Sequence, residues 1–201
     1  ELAKGKEEVA FALKYKDGDG GDFKWAGGAG DGAWGPMLKV TEGLAGGGYA
    51  TDDGFVLQAF PDSMASPTKT NIFASKSSDT TEVIAYVKFD ISAFVGKSVE
   101  EVKFSVRGDM NDGTTMTLGL HQLNTTDFIG DSLTWNTRPG AGSEVATVVM
   151  DQESDRKYFN STENTLVNYV NQQLMSGADE IGFALKYKEG DGGDLKWIGG
   201  K

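Results

Sequence analysis

The chain has no cysteine, only four prolines and a single histidine in 201 residues. Without cysteine there are no disulfides, no thiolate metal sites and no thiol nucleophile, and the redox compartment is left open. His121 has no second imidazole and no thiolate to join it, so it is a poor anchor for a catalytic triad or a zinc cluster. No apolar run reaches transmembrane length, and residues 1–20 lack a signal-peptide pattern, so an internal or processed piece is expected. Basic residues are scarce. There are 19 Lys and Arg against 30 Asp and Glu, a net charge of −11 and a sequence pI of about 4.5. That balance argues against nucleic acid, whose affinity comes from neutralised phosphates, and against anionic membranes. An acidic polysaccharide would need a local basic patch or a bridging cation. No nucleophile elbow, phosphate loop or zinc-protease helix pattern occurs, and no carboxylate pair is marked as an acid–base couple, so an enzyme is not expected.

What the chain has is glycine, 28 residues of it, with 38% hydrophobic residues. That is enough for one all-β domain with tight turns. It also has a repeat. At a constant offset of 172, residues 1–28 match residues 173–200 at 18 of 28 positions, which chance does not produce. The expected organisation is a tandem array cut out of phase. Residues 1–40 are the tail of a preceding repeat, 41–48 a Gly-rich flexible linker, and 49–201 a module lacking its own closing strand. That strand stands at the front: Trp34, Pro36, Met37, Leu38 and Val40 lie in the segment that should follow Lys201. It can fold back onto its module or complete a neighbouring copy. The second choice makes head-to-tail contacts that grow into a fibre unless they close.

Alternation marks the strands. In residues 82–91, Val83, Ala85, Val87, Phe89 and Ile91 share one face, and Tyr86, Lys88 and Asp90 the other. Residues 101–107 point Val102, Phe104 and Val106 inward. Residues 115–123 do the same with Met116, Leu118 and Leu120, and residues 180–188 with Ile181, Phe183, Leu185 and Tyr187. Residues 144–150 form a further strand. One helix is expected, capped by Ser161 or Thr162, carrying Leu166, Val170 and Leu174, and stopped by Gly177. Many short strands with one late, short helix predict a jelly-roll-like β-sandwich.

Three groups of residues suggest chemistry. Asp17, Asp19 and Asp22 recur as Glu189, Asp191 and Asp194 on Gly-rich loops. Alternating carboxylates of this kind suit calcium; the plain alternative is a solvated acidic turn. The outward residues Tyr86, Lys88, Arg107, His121, Lys186 and Lys188 suit a face that stacks a sugar and pairs with uronate carboxylates. The plain alternative there is a solvated face with cross-strand charge pairs. Trp135 reads as core, and Trp25 and Trp197 as packing residues or a sugar platform.

Taken in order, several segments resemble one family. They are Asp52-Asp53-Gly54-Phe55-Val56, Tyr86-Val87-Lys88-Phe89-Asp90-Ile91, Leu133-Thr134-Trp135-Asn136-Thr137-Arg138-Pro139, Gly182-Phe183-Ala184-Leu185 and Pro36-Met37-Leu38-Lys39-Val40. This series is similar to the DNRLRE (disaggregatase-related) domains, also classed as family 96 carbohydrate-binding modules. The resemblance implies a non-catalytic jelly roll on extracellular or cell-surface proteins, with a polysaccharide as partner. The duplication favours a second role, a structural subunit that pairs with copies of itself in a filament or adhesin.

Overall fold

The computed structural model describes residues 37–42, 44–64, 71–76, 81–109, 115–151, 157–161, 165–190 and 196–199. Its elements are β1 (Met37–Glu42), β2 (Leu44–Tyr49), β3 (Asp52–Leu57), β4 (Asn71–Lys76), β5 (Glu82–Asp90), β6 (Glu101–Asp109), β7 (Met116–Leu123), β8 (Ala141–Met150), β9 (Lys157–Asn160), α1 (Thr165–Met175), β10 (Glu180–Gly190) and β11 (Lys196–Gly199). All the strand pairs are antiparallel. One sheet is built on β6, which takes β1 and β11 along one edge and β9 on the other. The second sheet runs β3–β5–β10–β7–β8. β4 links the two, pairing with β11 over Asn71–Ala74 and with β5 over Ser75–Lys76. The protein is an all-β sandwich with one short helix, as its alternation predicts.

The inward sets meet in one core. Val83, Ala85, Val87, Phe89, Val102, Phe104, Val106, Met116, Leu118, Leu120, Ile181, Phe183 and Leu185 are all buried there. Phe104 of the first sheet packs edge-on against Phe183 of the second, ring centroids 5.9 Å apart. Phe89 and Tyr169 meet Phe183 in the same manner, at 6.2 and 5.9 Å. Edge-to-face contacts of this kind add roughly 0.5–1.5 kcal/mol each beyond burial. α1 buries Leu166, Tyr169, Val170 and Leu174 and ends at Gly177, whose φ of +82° needs a residue without Cβ. Its expected cap is engaged elsewhere: the Ser161 hydroxyl accepts the Phe104 N–H at 3.0 Å. Residues 162–164, Thr162 among them, lie outside the described residues.

The front of the module also differs from expectation. Residues 44–48, read as part of a free linker, belong to β2, paired with β1 from Tyr49↔Met37 to Leu44↔Glu42. Glycines pair here because the ladder needs only backbone donors and acceptors. β1 lies on β6 of its own module, Met37 opposite Ser105 and Val40 opposite Val102, and Leu38 is 2% exposed within the core. Trp34 and Pro36 of the proposed closing strand lie outside the described residues. Leu38→Ala should therefore lower unfolding free energy by about 2–5 kcal/mol, measured by urea denaturation. A change under about 0.5 kcal/mol would mean that β1 does not close its own sandwich.

Candidate functional site

The outer face of the second sheet has a covered half and an open half. A long connection between β7 and β8, residues 124–140, lies across the covered half. Its Phe128 and Leu133 form a second small core with Val56, Ile84, Tyr86, Leu123 and Ala184, and Trp135 packs at its margin. Two glycines permit the approach. A Cβ on Gly54 would stand 2.5 Å from the Gly130 carbonyl oxygen, and one on Gly130 would stand 1.7 Å from that of Asp53. Asp52 clamps the same point, its carboxylate accepting the Gly130 N–H at 3.0 Å. Lys88 donates to the carbonyls of Thr126 at 3.3 Å and Phe128 at 3.0 Å, and its ammonium lies 5.1 Å from the Phe128 ring centroid.

Two members of the expected ligand face are thus spent on folding. Tyr86 is 1% exposed, edge-on to Phe128 at 6.2 Å, so no sugar reaches its ring in this arrangement. Lys88 holds the connection down. A third member, Arg107, is on β6 beside Tyr158 of β9, in the other sheet, and shares no face with the rest. Alternation identifies the side of a strand but not what covers that side, nor which sheet the strand joins.

The remaining three converge. His121, Lys186 and Lys188 lie on the open half, where Ala184 is the cross-strand partner of His121 and Lys186 that of Gly119. The Glu144 carboxylate lies over Gly119, whose missing side chain makes the room: a Cβ there would be 2.6 Å from Glu144 Oε2 and 2.9 Å from His121 Nε2. Glu144 meets Lys188 at 2.6 Å and His121 at 3.9 Å. The other ring nitrogen of His121 is 3.0 Å from the Gly142 carbonyl. Lys186 pairs with Glu82 at 3.8 Å, and the Glu82 N–H donates to Gln58 Oε1 at 3.1 Å. These are half-exposed, solvent-screened pairs, each contributing little to stability.

Residues outside the expected set join this surface. Arg138 stacks on Trp135, its guanidinium carbon 3.9 Å from the ring centroid, and donates to the Trp135 carbonyl. Asn136 ties the connection to the turn after β3, donating to the Pro61 carbonyl at 3.2 Å and to Asp62 Oδ1 at 2.8 Å. Phe60 in that turn is 60% exposed. Their signal in the sequence was the Trp135 to Pro139 stretch itself. Of the acidic loops, Glu189 lies exposed in β10 across from Thr117, past a bulge. Asp17, Asp19, Asp22, Asp191 and Asp194 lie outside the described residues.

Burial pushes the Tyr86 hydroxyl up to about 12, and the nearby Arg138 charge and hydrogen bond offset only part of that rise. An unfolded tyrosine ionises near 10. Below pH 10 both states are protonated and stability is intact. Between pH 10 and about 12 only the unfolded state releases the proton, so stability falls as pH rises, by up to roughly 2–3 kcal/mol. Tyr86→Phe should remove that part of the alkaline loss. Its unfolding free energy relative to the wild type should improve between pH 9 and pH 11; a constant difference would show that the hydroxyl titrates normally.

The sequence pattern of carbohydrate-binding module family 96 matches residues 48–197, three quarters of the chain. A gellan lyase from a Bacillus species is 28% identical over 138 residues, which is 67% of this chain. The chain spans only 5% of that enzyme's length. The matched region contains both small-residue contacts at Gly54 and Gly130, the Lys88 clamp and the whole open face, and the chain belongs to carbohydrate-binding module family 96.

Proposed function

We propose that this chain is a non-catalytic, extracellular module of a tandem-repeat protein that holds an acidic polysaccharide on the open half of its second sheet. The observation that carries this reading is the meeting of Lys186, opposite Gly119 across the strands, and Lys188, paired with the Glu144 carboxylate that lies over Gly119, on a chain whose overall charge is −11. Family membership supports the carbohydrate, and the local cations supply what an acidic protein needs to meet an acidic chain. The likeness to a gellan lyase is consistent with a polysaccharide partner. Uronate carboxylates would compete with Glu82 and Glu144 for the two lysines, while the exposed Phe60 offers apolar surface to sugar rings.

The competition sets the signs of two substitutions. The double change Lys186→Ala with Lys188→Ala should weaken retention about tenfold or more in affinity electrophoresis through a uronate-containing gel. Glu144→Gln should strengthen it, and added salt should weaken the wild type. Equal mobility of the lysine double variant and the wild type would exclude this face.

Calcium in the acidic loops is a further part of the reading and rests on the spacing of Asp17, Asp19, Asp22, Glu189, Asp191 and Asp194. Calcium should raise the melting temperature and a chelator should reverse the rise; identical melting in both would remove the ion from the account. Head-to-tail assembly by strand complementation has its own support. β1 and β11 occupy one edge of β6, so a strand from another copy would find the same pairing there. Light-scattering mass that grows with concentration would favour assembly, and a constant monomer mass would leave β1 on its own module.

A further inference from the structure

Gly119 leaves room on the outer face of β7, and the ends of Glu144 and His121 meet over it. Glu144 Oε2 lies 2.6 Å and His121 Nε2 2.9 Å from the point where a Cβ would stand. Each oxygen of the carboxylate has its own nitrogen neighbour. Oε1 accepts from Lys188 Nζ at 2.6 Å, and Oε2 faces His121 Nε2 at 3.9 Å. All three side chains stay partly open to solvent. A space floored by backbone and flanked by two nitrogens is a seat for a carboxylate, and here the chain supplies its own occupant.

The charge on His121 decides how many donors the seat has. Nδ1 lies 3.0 Å from the Gly142 carbonyl oxygen. A carbonyl oxygen only accepts, so Nδ1 carries a hydrogen in the neutral ring as well as in the charged one. In the neutral ring Nε2 therefore turns a lone pair toward Glu144, and the 3.9 Å between them is outside hydrogen-bond range. In the charged ring Nε2 also carries a hydrogen and aims it into the seat. Among the described residues three charged groups face this ring. Glu144 stands on β8, and Lys188 of β10 reaches the seat through it. Lys186 is diagonal to the ring, next to Ala184 and opposite Gly119, and is held toward Glu82 of β5.

We infer that the space over Gly119 is a carboxylate subsite for a uronate, with Lys188 as one donor and the charged His121 ring as the second, so that binding takes up a proton. The inference rests on the carbohydrate reading and deepens it. With a neutral ring, Lys188 is shared by two carboxylates, and a uronate must drive Glu144 into water. With a charged ring, two cations serve two carboxylates, so Glu144 keeps one and the ligand takes the other. Histidine gains its charge between pH 8 and pH 5, while ordinary carboxylates stay ionised there. The bound state favours the charged ring, so affinity for a polyuronate rises as pH falls through that window.

Affinity electrophoresis of the full chain through polygalacturonate gels at pH 5.5 and pH 8, each against a polymer-free gel, gives the ratio of the two affinities. For the wild type the ratio should favour pH 5.5 by roughly two- to fivefold, the size of a half-exposed charge pair. His121→Asn keeps an amide donor for the Gly142 carbonyl but lacks Nε2, so its ratio should fall to near one. Gly119→Ala puts a methyl group into the seat and should weaken retention at pH 5.5. Calorimetry with soluble polygalacturonate fragments near pH 6.5, in two buffers of different ionisation enthalpy, reads the proton without any substitution, and binding should take up a fraction of one. Three results would overturn the inference and leave the carbohydrate reading standing: a ratio unchanged by His121→Asn, full retention of Gly119→Ala at pH 5.5, or binding without proton uptake. A wild type that is not retained at either pH would overturn both.

Discussion

Phe183 stands where both sheets and the helix meet, and the sandwich depends on that meeting. Its ring touches Phe89 within its own sheet, Phe104 across the core and Tyr169 on α1. The strand that carries it lies between β5 and β7. With Phe183 inward, the alternation of β10 leaves no choice for its neighbours: Ala184 must face outward, and so must Lys186. The core contact therefore also sets which residues of β10 are offered to solvent. Ala184 is small enough to lie under the 124–140 connection, and Lys186 stands beyond it, opposite Gly119.

That division governs the outer face of the second sheet. The covered half of the outer face is a second core, held by close backbone contacts at Gly54 and Gly130 and by Lys88 on two carbonyls. The open half keeps its charges half-hydrated and paired, Lys186 with Glu82 and Lys188 with Glu144. Such pairs contribute little to stability. The connection serves both halves. Its Phe128 and Leu133 seal the inner part, and its Trp135 and Arg138 form the rim of the outer part.

The duplication gives the same strand chemistry a second location. The residues that make β10 central also stand at 8–18, where Val9, Ala10 and Asp17 take the places of Ile181, Gly182 and Glu189. β1 meets a related situation, since it continues along the β6 edge on which β11 begins.

The sequence by itself determined which side chains of β5, β6, β7 and β10 enter the core, because alternation at a period of two needs only one buried face to be read. It likewise determined the helix around Leu166, Val170 and Leu174, its stop at Gly177, and the repeat. Tertiary structure alone decided the rest. Tyr86 and Lys88 leave the core face as the alternation requires, yet the fold covers them, since a period says nothing of a connection laid over a sheet. Arg107 shares the alternation of the outward set but not its sheet, because pairing partners are long-range and leave no local mark. The glycines of β2 hide a strand, as backbone hydrogen bonds alone hold it to β1. The site itself arises from distance in sequence. Glu82, Gly119, Trp135, Arg138, Glu144, Lys186 and Lys188 come from five different segments, placed by the registers between strands and by the packing of the 124–140 connection.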